Sequence, residues 1–217
     1  MTFLPDYYAN KNSNKFMKWF KSVERTNQIV LDFFDEDRLP KKHIFFDDKK
    51  FKLLDIGAWD GSMAKLLSDK IEYYPLDVYP IEHPNAVLCN LNDKKLPFKD
   101  KTFDYVIADQ VIEHTFYPTE TCKEIHRVLK DKGKAMIGLP NELSLIARLS
   151  FLFRGDYGTI EDQEFQHHWY FTLTNSKKML TDCGFKIIKE GGRFGITHPA
   201  LLKISPINFY KVIKWKK

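Results

Sequence analysis

From residue 51 onward, short apolar runs alternate with stretches of helical periodicity, and no other feature of the chain limits its fold so narrowly. The run at 53–56 is too short for a helix and too apolar for a loop. A helical stretch at 62–67 and a second apolar run at 71–76 follow it. Strand, helix and strand in that order make a βαβ unit, whose two strands lie parallel in one sheet. Further strands are predicted at 86–89, 103–108, 134–139, 185–189 and 209–215. Cys122, Ile125, Val128 and Leu129 mark one face of a helix that Pro118 starts and Gly133 ends. The expected fold is α/β and Rossmann-like: a seven-stranded, mostly parallel sheet with helices on both faces. A long connection, not a helix of the usual kind, joins the last two strands.

Residues 1–50 read differently. Phe16, Trp19, Phe20 and Val23, then Ile29, Val30, Phe33 and Phe34, recur at helical spacing and predict a helical extension lying on the main domain. Tyr7 and Tyr8 would pack in that extension or close over a ligand, and 35–50 is a polar connector. The division expected is therefore an extension at 1–50 and one domain at 51–217, since 217 residues can share a single core. Hydrophobic residues at 43% and aromatics at 15% exclude wholesale disorder.

The net charge of +5 is the difference between 34 cationic and 29 anionic residues, interspersed along the chain, so no nucleic-acid partner is expected. Cys89, Cys122 and Cys183 form no CxxC pair, which leaves neither a disulfide framework nor a zinc ribbon, and no metal is expected. The start lacks a basic region followed by an apolar run, and no stretch approaches the ~18 apolar residues of a membrane span. A cytoplasmic protein is the expectation. The lysine-rich 201–217 would be a closing strand with a soluble tail, or would rest peripherally on an anionic membrane.

The first strand runs into Asp55-Ile56-Gly57-Ala58-Trp59-Asp60-Gly61 and then directly into a helix. A glycine-bearing turn at a helix start lets backbone approach a ligand, although a purely structural turn has the same form. Asp77 ends the second strand, about twenty residues on, where an acidic side chain accepts hydrogen bonds from ribose hydroxyls. The spacing suits a nucleoside-containing cofactor. It lacks the GxGxxG pattern that cradles a pyrophosphate, which argues against a nicotinamide enzyme.

These motifs, with Leu96-Pro97-Phe98, Phe103-Asp104-Tyr105-Val106-Ile107-Ala108, Glu113-His114 and Arg127-Val128-Leu129-Lys130, resemble the class I S-adenosylmethionine-dependent methyltransferases over residues 51–140. His168-Trp169-Tyr170-Phe171-Thr172 and Leu180-Thr181-Asp182-Cys183-Gly184-Phe185 look like the later part of members that modify small molecules and glycans. The resemblance implies that Asp55, Gly57, Ala58, Trp59 and Gly61 lie against the methionine end of S-adenosylmethionine. Asp77 and Val78 would hold the ribose, and Asn90, Leu91 and Asn92 would flank adenine. Asp109 and Gln110 would stand near the methyl group. Trp59 replaces a second glycine and Asn90 replaces an acid found in many members.

Methyl transfer needs orientation and water exclusion more than a strong base. For a hydroxyl acceptor, a histidine would take the proton, and His114 and His168 are the candidates. His167 and His168 are adjacent, so at most one would face the site, and His126 is expected to be solvated. The segment 141–166 would be an acceptor lid or an amphipathic helix on the core. The expected activity is methylation of a small molecule or glycan precursor. The alternative is a relative that binds the cofactor without catalysis and acts through a protein partner.

Overall fold

A computed structural model of the chain describes residues 50–93, 95–155, 167–192, 202, 205 and 207–215. The predicted N-terminal helices, the connector before residue 50, Tyr7 and Tyr8 lie outside the described residues.

Seven strands form one sheet: β1 (Phe51–Ile56), β2 (Ile71–Asp77), β3 (Val87–Leu88), β4 (Phe103–Asp109), β5 (Leu129–Pro140), β6 (Phe185–Gly192) and β7 (Ile207–Lys214). Their order across the sheet is β3-β2-β1-β4-β5-β7-β6. β1 to β5 pair in parallel, and β7 runs antiparallel to both β5 and β6. The helices are α1 (Pro118–Val128), α2 (Leu145–Arg154) and α3 (Leu173–Asp182), with 3-10 turns at Ser62–Leu66, Leu91–Asp93 and Ile112–His114.

Alternation along the strands sends side chains into two cores. Leu54, Ile56, Val106, Ala108, Ala135 and Ile137 meet Cys122, Ile125 and Val128 of α1 and Leu180 of α3 on one face. Leu53, Ile107, Met136 and Phe209 meet Met63 on the other. Both faces of the sheet are therefore covered, as parallel strands require.

Two elements depart from the sequence reading. The stretch after the glycine turn is a 3-10 helix, Ser62–Leu66, not an α-helix. The helix expected to stop at Gly133 stops at Val128, and β5 begins at once. Leu129 pairs with Phe103 while Lys134 pairs with Tyr105, so β5 carries a bulge between them. A Cβ on Gly133 would stand 2.8 Å from the Lys130 carbonyl and 3.2 Å from that of Asp104. The glycine serves the bulge rather than a helix end.

Arg127 explains the Leu96-Pro97-Phe98 segment. Its guanidinium donates to the carbonyls of Phe98 (2.8 Å) and Leu96 (3.1 Å) and to Asp100 (2.7 Å) and Glu124 (2.7 Å). Glu124 in turn accepts from the Leu96 N–H at 2.8 Å, fastening the loop to α1.

The tail 207–214 is a closing strand with Phe209, Tyr210 and Val212 buried, which withdraws those side chains from any membrane surface. Among the described residues no helix is long and apolar enough to cross a membrane. His126, expected to be solvated, instead lays its ring 5.1 Å from that of Phe185 and has a buried Nε2; burial lowers its pKa. Along α2, Leu145, Leu149, Phe151, Leu152 and Phe153 are exposed while Ala147 is buried.

Candidate functional site

The chain leaves β1 toward β2 and β3 on one side and returns to β4 on the other. In an open α/β sheet the crevice beyond such a reversal is where ligands bind. The residues singled out from sequence cluster there.

Gly57 has φ 74°, and its N–H donates to the Leu76 carbonyl at 2.8 Å. A Cβ at this position would lie 2.9 Å from Cγ2 of Val111, just beyond β4. Only glycine lets the β1 turn and the β4 turn approach so closely. Ala58 is buried beside it. Trp59 also takes a left-handed conformation (φ 56°), and its ring meets Tyr79 edge-on with centroids 6.4 Å apart.

Asp77 is buried at the end of β2, and burial raises its pKa. Its Oδ2 accepts the Trp59 N–H at 2.8 Å and its Oδ1 that of Tyr79 at 3.2 Å. Each oxygen keeps a further lone pair for a ligand hydroxyl. Val78 beside it is half exposed.

Asp55 is buried as well. Desolvation pushes its carboxyl up to about 7, against a hydrogen bond from Tyr73, and Asp77 and Asp60 add like-charge repulsion. The Tyr73 hydroxyl donates to Asp55 Oδ2 at 2.5 Å. Such a carboxylate lacks a cation, and the ammonium of S-adenosylmethionine is one.

Asn90 precedes the 3-10 turn Leu91–Asp93 after β3, which holds Leu91 and Asn92. Asn90 Oδ1 accepts the Asn92 N–H (3.0 Å), and Asn92 Oδ1 accepts that of Phe116 (2.7 Å), which ties this turn to the segment after β4. At the end of β4, Gln110 is left-handed (φ 52°) and donates its N–H to Gly138 of β5 at 3.1 Å. Gln110 Nε2 is buried without a hydrogen-bond partner among the described residues. Asp109 packs so tightly on β5 that a Cβ on Gly138 would overlap its Oδ1. Bare turn backbone, one buried carboxylate for an ammonium and another for ribose hydroxyls fit S-adenosylmethionine.

Beyond Gln110 comes a second cluster. Glu113 and His114 share the 3-10 turn Ile112–His114, and the His114 ring centroid lies 4.8 Å from that of His167. Glu113 is wholly buried, both carboxylate oxygens lack a hydrogen-bond partner among the described residues, and desolvation pushes its carboxyl up to about 8. Glu142, which follows β5, places Oε1 3.6 Å from His167 Nδ1. His168 is exposed and stacks on Phe116 at 4.7 Å, while its N–H donates to the Glu113 carbonyl at 3.0 Å. The adjacent histidines thus part company, and His167 rather than His168 meets His114.

Sequence reasoning passed over Tyr73, Glu113 as an acid, and Glu142. The Glu113-His114 pair was a visible signal; Glu142 becomes meaningful only once His167 lies beside it.

Comparison with known proteins places this geometry. The uncharacterized protein MJ0638 of Methanocaldococcus jannaschii is 30% identical over 98% of this chain and 87% of its own length. The 1,6-didemethyltoxoflavin-N1-methyltransferase of Burkholderia thailandensis, solved with S-adenosylhomocysteine bound, has the same fold. It superposes with a TM-score of 0.57 at 12% identity, over 100% of this chain and 92% of its own. The [4+2]-cyclase SpnF shares the fold too, with a TM-score of 0.62 at 14% identity over 92% of this chain and 83% of its own. Residues 16–190 match the family described as Methyltransferase domain. By that match the chain belongs to the S-adenosylmethionine-dependent methyltransferases.

Proposed function

We propose that the chain methylates a small molecule or glycan precursor, with the acceptor held beyond the carboxyl ends of β4 and β5. The observation that carries this reading is the enclosed group Glu113, His114, His167 and Glu142 next to the methyl-proximal Asp109 and Gln110. A buried glutamate beside two histidines suits one polar functional group of a compact acceptor.

Bound S-adenosylmethionine supplies a methyl group already activated by its sulfonium. Asp55 holds the ammonium end, Asp77 the ribose, and the segment 90–92 borders the base. Gln110 Nε2, buried without a hydrogen-bond partner among the described residues, is the donor for whatever occupies the methyl end. His114 takes the proton of an acceptor hydroxyl, an imidazole being matched to that task at neutral pH. His168, exposed beside Phe116, borders the entrance.

Calorimetric titration of S-adenosylmethionine into the full chain, with Asp77→Ala as control, comes first. Micromolar binding weakened at least ~10-fold by the substitution, a loss of about 1.4 kcal/mol, supports the cofactor assignment. Methyl transfer to hydroxylated small molecules in a subsequent screen supports the acceptor class. Saturable binding without turnover on any acceptor favours a non-catalytic role through a partner.

A further inference from the structure

We propose that Glu113, His114 and His167 bind a divalent cation at the acceptor side of the methyl-transfer site, and that the acceptor presents an oxygen to that ion. The second half rests on the reading above; the first does not.

One ligand atom from each of the three residues lies within 4.8 Å of the others. One carboxylate oxygen and two imidazole nitrogens are a donor set that zinc, manganese, cobalt and iron(II) accept, with positions left for a further ligand. Proximity alone would be weak support. Glu113 adds an independent observation: it is 0% exposed, and both of its oxygens are buried with no hydrogen-bond partner among the described residues. In its ionised form a carboxyl so placed, repelled by Asp109 and Glu142 and attracted by His167, would be stabilised by a cation that offsets its desolvation.

The surroundings suit an ion. Glu113 and His114 are held on one 3-10 turn, and the His168 N–H bonded to the Glu113 carbonyl fastens the strand of chain that carries His167. Glu142, 3.6 Å from His167 Nδ1 and 5% exposed, would set that ring's tautomer and leave Nε2 for the ion, as carboxylates do around metal-bound histidines. Glu113 and His114 are adjacent and His167 lies 53 residues further on, which is why no ligand spacing shows in the sequence.

At such a site the cation would draw an acceptor hydroxyl toward its alkoxide at neutral pH. With the ion bound, His114 serves as its ligand instead of as the base assigned above, so the hydroxyl proton passes to solvent, and the C–O bond forms as the methyl C–S bond breaks. The sulfur keeps the electron pair, giving a methyl ether, S-adenosylhomocysteine and one proton.

The full chain, stripped with chelator and dialysed, is titrated with Co2+ alone and followed by visible absorption, with S-adenosylmethionine titrated in parallel. The expected result is one Co2+ per chain with ligand-field bands. Glu113→Gln and His167→Ala each weaken it at least ~10-fold, while cofactor affinity and the circular dichroism spectrum stay those of the parent. A chain that binds S-adenosylmethionine but takes up no Co2+, Zn2+ or Mn2+ overturns the ion site. So does Co2+ binding unchanged by both substitutions and by His114→Ala. Co2+ binding that needs these residues in a chain without cofactor affinity keeps the ion site and overturns the methyl-transfer reading instead. Equal turnover of a hydroxyl acceptor with and without the ion overturns its catalytic part.

Discussion

A carboxylate kept out of water between two strands behaves as a sensor of what is put beside it, and Asp55 is in that position. Its folded-state pKa of about 7 exceeds its ordinary 3.8. The folded chain therefore binds this proton more tightly than the unfolded chain. The stability Asp55 gives is full below 3.8 and is lost as pH rises toward about 7. On the proposed reading, in which Asp55 holds the ammonium of S-adenosylmethionine, cofactor binding runs the other way, because the ammonium needs the ionised form. With Tyr73, Asp77 and Asp60 as its neighbours, S-adenosylmethionine affinity should fall by up to ~10-fold per unit as pH drops below 7. In Asp55→Asn it should be weak and flat, which calorimetry across pH 5.5–8.5, on the order of three units, would read. Gly57→Ala tests the turn: its Cβ would press on Val111 at a positive φ, and thermal melts should show a loss of roughly 1–2 kcal/mol with weaker cofactor binding. Asp55, Gly57 and Asp77 were legible in the sequence because a strand-end turn is a local object. Tyr73 was not, since its bond to Asp55 depends on the register that sets Leu53 opposite Tyr73 and Asp55 opposite Pro75.

At the level of elements, loops are fastened by specific side chains rather than by length. Arg127 draws the 96–100 segment onto α1 through bonds to two carbonyls and two carboxylates, one of them the half-buried Glu124. Arg127→Ala should destabilise by about 2–4 kcal/mol in urea titrations, whereas Lys123→Ala, whose pair with Glu120 is exposed, should fall within about 0.5 kcal/mol. Strands could be read from apolar runs because burial on both faces leaves little choice of residue. The end of α1 could not. Gly133 has the same chemistry whether it stops a helix or relieves a bulge, and only the pairing of Leu129 with Phe103 decides. His167 and His168 likewise could be told apart only once Phe116 and His114 offered each a neighbour.

The described residues form one sheet, and with the cofactor in the proposed crevice at the reversal between β1 and β4 its occupancy should couple to global stability. At about 100 times its dissociation constant, S-adenosylmethionine should add about 2.7 kcal/mol, seen as a raised melting temperature that Asp77→Ala abolishes. The sheet order carries another consequence. β6 precedes β7 in the chain, yet among the described residues its only strand neighbour is β7, which also covers the edge of β5. On the ribosome, β1 to β5 can assemble as they emerge, but β6 must wait unpaired until residues 207–214 clear the exit tunnel. Synthesis interrupted between them would strand two open edges at once, the surfaces on which nascent chains stick to one another or recruit chaperones.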